Sequence, residues 1–131
     1  MYFCTLWYTQ RCMKNKINAH ENILSLIGKT PLIKLNKVTK NFDGDYYAKY
    51  EAMNPGQSNK DRIALHIIES AEKKGLIDKN STIIETTSGN TGFSLSMVSM
   101  VKGYKCIVAV SSKSSPDKID MLKAMGAKVY V

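Results

Sequence analysis

The sequence has few of the residues that build disulfide frameworks or metal sites. Its three cysteines, Cys4, Cys12 and Cys106, are odd in number and show no Cys-x-x-Cys spacing. Such a set favours neither a disulfide framework nor a zinc site. The two histidines, His20 and His66, have no cysteine, aspartate or second histidine at ligand spacing. We therefore expect no bound metal.

Long apolar runs are also absent. No stretch approaches the roughly 20 apolar residues of a membrane-spanning helix. The N-terminal residues are unlike a signal peptide, because their apolar stretch is short, no basic region precedes it and no small-residue cleavage site follows it. We expect a cytoplasmic protein that does not associate with a membrane.

The basic excess is dispersed. Nineteen lysines and arginines oppose 11 acidic residues, for a formal net charge of +8. No basic stripe is interleaved with aromatics, so the lysines are typical of a solvated surface and we expect no nucleic-acid partner. The Gly56-Gln-Ser-Asn-Lys60 segment lacks the Gly-x-x-x-x-Gly-Lys-Ser/Thr order, which excludes a P-loop NTPase.

Strand and helix patterns alternate along the chain. Apolar residues at Ile63, Ile67 and Ala71 predict an amphipathic helix over residues 61–74 that stops at Gly75. The other predictions are a short helix or turn over 22–27, strands over 30–35, 45–52, 82–86, 105–110 and from 128, and helices over 93–101 and 116–125. This alternation predicts an α/β fold with a parallel βαβ sheet in three layers.

Two polar motifs carry the chemistry. Lys60 lies in Asn54-Pro-Gly-Gln-Ser-Asn-Lys-Asp-Arg62, at the start of the amphipathic helix, and Thr87-Ser-Gly-Asn-Thr-Gly92 joins a strand to an apolar helix. Ligands gather at strand-to-helix junctions because unpaired backbone N–H groups there carry partial positive charge. Gly89 permits close backbone approach, while hydroxyl and amide side chains around it add donors for a carboxylate. For Thr87 or Ser88 alone, an ordinary helix cap is the alternative.

Together the motifs resemble fold-type II pyridoxal-phosphate (PLP) enzymes of the cysteine synthase and cystathionine β-synthase family. A third match is Gly28-Lys-Thr-Pro-Leu-Ile-Lys-Leu35, similar to the family's opening Gly-x-Thr-Pro-Leu stretch. The resemblance runs from about Ile27 to Val131 and implies the small lobe of that fold. It also implies β-replacement on serine or O-acetylserine by sulfide or a thiol, giving cysteine or cystathionine.

The resemblance assigns roles to individual residues. Lys60 resembles the lysine that holds pyridoxal 5'-phosphate as a Schiff base and then takes the substrate Cα proton. Asn90 resembles the side chain that hydrogen-bonds the cofactor's ring hydroxyl. The segment that would grip the substrate α-carboxylate consists of Thr87, Ser88, Gly89, Asn90 and Thr91.

Some positions depart from the family pattern. Thr86 stands where proline is usual, and Gln57 and Asn59 replace the commoner glycine and apolar residue near the lysine. Arg62 could form a salt bridge with Asp61, or its positive charge could act on Lys60. For both Asp61 and Arg62 we favour a structural role.

The family's phosphate-binding glycine loop and the residue that contacts the pyridine nitrogen have no counterpart before Val131. We therefore expect residues 27–131 to be the N-terminal part of a β-replacement domain, truncated at its C-terminus and inactive in isolation, with an exposed apolar face. Residues 1–26 are expected to be a leader, in which Met13 is a candidate initiator and the residues before it would be non-native. The resemblance also implies a homodimer in the full-length protein.

Two alternatives stay open. One is a non-catalytic lobe that binds an amino acid or a partner chain without PLP chemistry. The other is an amino-acid dehydratase or threonine synthase of the same fold, although the Ser-Asn-Lys-Asp-Arg pattern is less like theirs. Sequence beyond Val131 would separate them, because a second glycine-rich loop would favour the enzyme.

Overall fold

The structure, a computed structural model, describes residues 19–87 and 89–131. The predicted leader before residue 19, with Met13, Cys4 and Cys12, lies outside the described residues. The helices are α1 (Lys60–Lys73), α2 (Asn90–Lys102) and α3 (Pro116–Ala124), with 3-10 helices at Ile23–Leu26 and Glu51–Met53. The strands are β1 (Leu32–Lys34), β2 (Tyr47–Lys49), β3 (Thr82–Thr86), β4 (Lys105–Ala109) and β5 (Lys128–Tyr130). None of the helices in the described ranges is long and apolar enough to cross a membrane.

The main sheet has the order β3-β4-β5 and all three of its strands are parallel. Helix α2 connects β3 to β4, and α3 connects β4 to β5, so each connection is a βαβ unit. A separate antiparallel pair is formed by β1 and β2, with Ile33 opposite Ala48. The predicted α/β class and parallel sheet are confirmed.

The three layers are the sheet, then α2 and α3, then α1. Val108 of β4 is fully buried and packs in one apolar cluster with Leu122 of α3. On the other side of α2, Val98 packs with Ala64 and Ile68 of α1. Because α1 packs on α2 rather than on a strand, the loop that precedes α1 is brought close to the start of α2.

The opposite face of the sheet is open in the described chain. Side chains alternate between the faces of a strand, so Ile83 points towards the helices while Ile84 is 68% exposed. Tyr130, at the other edge of the sheet, is half exposed. The expected exposed apolar face is therefore present.

Most predicted elements are found within a residue or two of their predicted bounds. The predicted strand over 45–52 is shorter, because the chain turns into the 3-10 helix Glu51–Met53. Helix α2 begins at Asn90 rather than at residue 93. The first turn of α2 contains Thr91 and Gly92, which are not apolar. The periodicity of apolar residues therefore could not reveal this turn.

Candidate cofactor and substrate site

Lys60 is the first residue of α1, one residue before the predicted helix start. Its backbone N–H donates to the Ser58 hydroxyl at 3.2 Å, and its Nζ donates to Asn59 Oδ1 at 3.2 Å. The residue is half-buried. A lysine at a helix start has its backbone fixed by the helix while its long side chain keeps rotamer freedom.

The loop before Lys60 is anchored by Asp61, whose side chain is fully buried. The Asp61 carboxylate accepts hydrogen bonds from the Gly56 N–H and from the Ser94 hydroxyl, each at 2.5 Å. A Cβ on Gly56 would lie 2.2 Å from Asp61 Oδ1. Only glycine permits this approach, so the motif needs Gly56 for packing against the carboxylate.

Asn54 joins this loop to the Gly28 segment. Its side-chain oxygen accepts a hydrogen bond from the Gly28 N–H at 2.8 Å. Its amide nitrogen donates to the Glu51 backbone carbonyl and to the Glu51 carboxylate, each at 2.9 Å. Asn54 is only 3% exposed, and three of its hydrogen-bonding sites are used. Two motifs that are 26 residues apart in sequence therefore meet at one buried amide.

The salt bridge between Arg62 and Asp61, one of the two possibilities for Arg62, is not among the ion pairs of the described residues. Adjacent helical residues point in different directions, so Asp61 faces α2 while Arg62 faces the N-terminal segment. Arg62 instead forms a bidentate pair with Glu51, at 2.7 and 2.9 Å, and donates to the Gly28 carbonyl at 2.9 Å. Hydrogen bonds from Arg62 and Thr30 lower the pKa of Glu51 to about 2. The expected structural role of Arg62 is met with a different partner.

The second loop follows β3. The Thr87 N–H donates to the Ala109 carbonyl at 3.0 Å, which extends the β3–β4 ladder, and the Thr87 hydroxyl accepts from the Gly89 N–H at 3.1 Å. The N-cap of α2 is Gly89, and no side chain caps it. Thr87 is therefore not an ordinary cap of α2. Ser88 lies outside the described residues.

Gly92 allows the first turn of α2 to pack closely on this loop. A Cβ at Gly92 would lie 2.5 Å from the Thr87 methyl carbon and 3.1 Å from Val108 Cγ1. The glycine lies inside a helix, where it costs about 1 kcal/mol relative to alanine. Close packing around Thr87 is the physical reason for its presence.

A cavity of about 260 Å³ opens between the two loops. This volume is near the lower end of the range of about 300–1,000 Å³ for small-molecule pockets. It is lined by Gly56, Gln57, Thr87, Gly89, Asn90, Phe93, Val110, Ser114, Lys118, Ile119, Met121 and Leu122.

The cavity brings together Thr87, Gly89 and Asn90, three of the predicted site residues. Lys60 and Thr91 are not among its lining residues, although Gly56 and Gln57 of the Lys60 loop are. The sequence prediction missed the wall supplied by α3 and the segment before it. The only signal for that wall was its position after β4, since loops that follow neighbouring parallel strands emerge at the same edge of the sheet.

Comparison with known families decides the classification. The family model described as "Pyridoxal-phosphate dependent enzyme" matches residues 23–131. The chain belongs to this family. The resemblance to fold-type II PLP enzymes is thereby confirmed, and the cofactor of the family is pyridoxal 5'-phosphate.

Individual relatives of this PLP-dependent family agree. The chain is 53% identical over 110 residues to a cystathionine beta-synthase of Apis mellifera, covering 82% of this chain and 22% of that protein. It is 49% identical over 108 residues to a cysteine synthase of a Flavobacterium species, covering 82% and 35%. The crystal structure of a hydrogen sulfide-producing enzyme from Fusobacterium nucleatum matches with a TM-score of 0.78 and 47% identity, covering 85% and 36%. The chain thus spans between about a fifth and about a third of the length of these relatives.

The described residues fit the family's cofactor chemically. An aldehyde needs a primary amine with which to condense, and Lys60 supplies one on a helix start that packing holds in place. Gly56 and Gln57 of the loop before it line the cavity. Asn90, at the cavity wall, supplies an amide that both donates and accepts hydrogen bonds.

Proposed function

We propose that residues 27–131 form the N-terminal part of a PLP-dependent β-replacement enzyme. Its reaction would exchange the β-substituent of serine or O-acetylserine for sulfide or a thiol and so give cysteine or cystathionine. One observation carries this proposal: a single cavity joins the loop that precedes Lys60 to the loop that follows β3. Membership of the PLP-dependent family and the names of the relatives support it.

Lys60 has two roles in this proposal. When bound, PLP supplies an electron-withdrawing ring that stabilises negative charge at the substrate Cα. Lys60 Nζ would anchor the cofactor, and after the substrate amine replaces it, the same neutral Nζ would accept the Cα proton. Since Nζ has only Asn59 as a described hydrogen-bond partner, little has to be broken before it can serve either role.

The loop after β3 would hold the substrate carboxylate. Backbone N–H groups at the start of α2 are without intrahelical partners and point outward, and the helix dipole adds partial positive charge there. Thr87, Ser88, Gly89, Asn90 and Thr91 would supply these donors, with Asn90 also orienting the cofactor ring. Phe93 and Val110 line the same cavity and would limit access of water to the reacting atoms.

We further propose that the full-length protein is a cytoplasmic homodimer acting on small-molecule amino acids. The non-catalytic lobe and the dehydratase of the same fold are the competing functions. The first predicts no reaction of Lys60 with PLP, and the second predicts reaction with PLP but release of ammonia from serine without any need for a thiol.

Borohydride trapping tests the proposal. The purified chain is incubated with PLP and reduced, and the adduct is located by peptide mass. We expect one dominant adduct on Lys60 that Lys60→Ala removes. Lys73→Ala, an exposed lysine of the same helix, is the matched control and should leave the Lys60 adduct unchanged. Labelling that is spread over surface lysines, or none at all, would contradict PLP chemistry at Lys60.

A further inference from the structure

Asn59, the residue before Lys60, is a position where this chain departs from the family pattern. An apolar residue is commoner there, whereas this sequence has a side-chain amide. Lys60 Nζ donates to Asn59 Oδ1 at 3.2 Å, and this is the hydrogen bond that the Asn59 side chain makes within the described residues. The departure therefore places an acceptor beside the amine that the proposed function needs.

Helix capping does not account for the Asn59 amide. Asn59 is the N-cap of α1, a position where an asparagine side chain usually accepts a hydrogen bond from a backbone N–H of the first turn. Its side chain makes no such bond, and its backbone is right-handed (φ −67°, ψ −10°) rather than extended. The Ser58 hydroxyl accepts a backbone hydrogen bond at this end of the helix, from the Lys60 N–H. The Asn59 side chain is itself exposed, so burial does not account for it either.

The direction of the hydrogen bond suits an amine that must react. Nζ is the donor and the amide oxygen is the acceptor, so the bond uses an N–H and leaves the lone pair of a neutral amine free. That lone pair attacks an aldehyde carbon and accepts a proton. A hydroxyl or an amide N–H in the same place would donate to the lone pair and block it. Asn59 Oδ1 therefore holds the amine without occupying its reactive site.

The hydrogen bond also depends on whether Nζ is free. Condensation of Lys60 with the PLP aldehyde forms a C=N bond, releases water and leaves Nζ with at most one proton, which the planar C=N group fixes in direction. When the substrate amine takes the same carbon, Nζ leaves as a primary amine with two protons and a freely rotating head group. An acceptor beside Nζ therefore stabilises the released lysine more than the condensed one.

We propose that Asn59 is a positioning residue that holds Lys60 Nζ when this amine is released from the cofactor. The inference rests on the proposed β-replacement function and assigns a role to a residue that the family pattern does not supply. Asn59 keeps the released amine at the start of α1, where it takes the Cα proton and later returns to the cofactor carbon. By retaining Nζ, it favours the exchange of Lys60 for the substrate amine.

Nuclear magnetic resonance tests the contact without PLP. The side-chain amide resonances of Asn59 are compared between the intact wild-type chain and Lys60→Met, which keeps most of the length of the side chain and removes the amine. We expect these resonances to shift in Lys60→Met and to stay in place in Lys73→Met, which changes an exposed lysine of the same helix. Unchanged Asn59 resonances in Lys60→Met would overturn the proposal.

Titration with PLP measures how strongly the amine is held. The Lys60 adduct is quantified by borohydride reduction and peptide mass as PLP is added, and then as serine is added to displace Lys60. Asn59→Leu removes the acceptor at similar volume, so half-saturation should need about twofold to fivefold less PLP, the effect of losing one exposed hydrogen bond from the free lysine. Displacement of Lys60 should need more serine by the same factor.

Two further variants separate the hydrogen bond from other effects of substitution. Asn59→Asp keeps an acceptor oxygen and should not lower the PLP concentration needed for half-saturation. Asn36→Leu makes the same change as Asn59→Leu at an exposed asparagine outside both loops, and it should leave both concentrations at their wild-type values.

The outcomes distinguish the role of Asn59 from the proposed function. If Asn59→Leu needs the same PLP and serine concentrations as wild type, or more PLP, the holding role is overturned while the Lys60 adduct still supports the proposed function. If the wild-type chain forms no adduct on Lys60, the proposed function itself fails. The holding role then falls with it, whatever the resonances of Asn59 show.

Discussion

Asp61 and Ser94 form a hydrogen bond of 2.5 Å between α1 and α2, and both side chains are fully buried. The same carboxylate accepts the Gly56 N–H from the loop that precedes Lys60. One buried group therefore ties the lysine loop to the helix that begins at Asn90. Asp61 belongs to the first motif and Ser94 follows the second by two residues, so this contact links the two motifs through α1 and α2.

Replacing Asp61 should cost more stability than replacing an exposed aspartate. Asp61→Ala leaves the Gly56 N–H and the Ser94 hydroxyl buried without an acceptor, and we expect a loss of about 2–4 kcal/mol in the free energy of unfolding. Asp61→Asn keeps one acceptor oxygen and should lose about half as much. Urea unfolding followed by circular dichroism measures both, with exposed Asp43→Ala as control. A loss of less than about 0.5 kcal/mol for Asp61→Ala would show that the contact does not hold the loops.

Because Arg62 and Glu51 form an ion pair, we expect the free energy of unfolding to depend on pH in the acid range. The pKa of Glu51 is lowered from 4.5 to about 2, chiefly by the hydrogen bond from Arg62. A group with a lowered folded-state pKa contributes stability above its unfolded-state pKa and loses it as the pH falls through the folded-state pKa. The contribution of Glu51 should therefore be complete above pH 4.5 and be lost as the pH approaches 2.

Urea unfolding of wild type and Glu51→Gln across this acid range tests the prediction. The stability difference between the two proteins should be largest above pH 4.5 and shrink towards pH 2. Arg62→Gln should remove the same acid-sensitive contribution, because Arg62 is the main cause of the lowered pKa. Lys73→Gln removes one positive charge elsewhere on α1 and should retain it. A constant difference at every pH would contradict the assignment.

The backbone at Gln57 predicts a stabilising substitution. Its φ of 60° costs about 1–2 kcal/mol for a residue with a Cβ and almost nothing for glycine. Part of the gain is offset because glycine has more freedom in the unfolded chain, so Gln57→Gly should stabilise by roughly 0.5–1 kcal/mol. Gln57→Ala keeps the Cβ and should stay near wild type. Asn59→Gly, at a right-handed position of the same loop, should destabilise, and stabilisation there would contradict the explanation.

Local sequence signals predicted the fold well where they were strong. The strand β3 has the predicted bounds, because Ser81 and Thr87 flank an apolar centre that contains Ile83 and Ile84. Helix α1 begins one residue earlier than predicted, and its end before Gly75 agrees with the prediction. These elements depend on patterns within a few residues of each other, which a sequence displays directly.

Long-range partners could not be predicted in the same way. Arg62 has a carboxylate next to it in sequence, yet it pairs with Glu51, eleven residues away. The wall of the cavity formed by Ser114 and Lys118 depends on how the loop after β4 lies beside the loop after β3. The partner of a polar residue depends on the three-dimensional distance between the two side chains. That distance cannot be obtained from a single sequence.

The contact between Gly92 and Thr87 provides a final test of the second loop. Alanine inside a helix normally stabilises by about 1 kcal/mol relative to glycine, but at Gly92 its Cβ would meet the Thr87 methyl carbon at 2.5 Å. We expect Gly92→Ala to destabilise by about 1–3 kcal/mol, as overpacked sites do, and to shift the backbone amide resonance of Thr87.

Thr87→Ser removes the methyl carbon that the new Cβ would meet. In the double variant Thr87→Ser/Gly92→Ala, part of the lost stability should therefore return, so that the two substitutions are not additive. Recovery should be incomplete because Val108 Cγ1 would still lie 3.1 Å from the Cβ. If the double variant loses the sum of the two single losses, the close packing of α2 on Thr87 is not what requires glycine at this position.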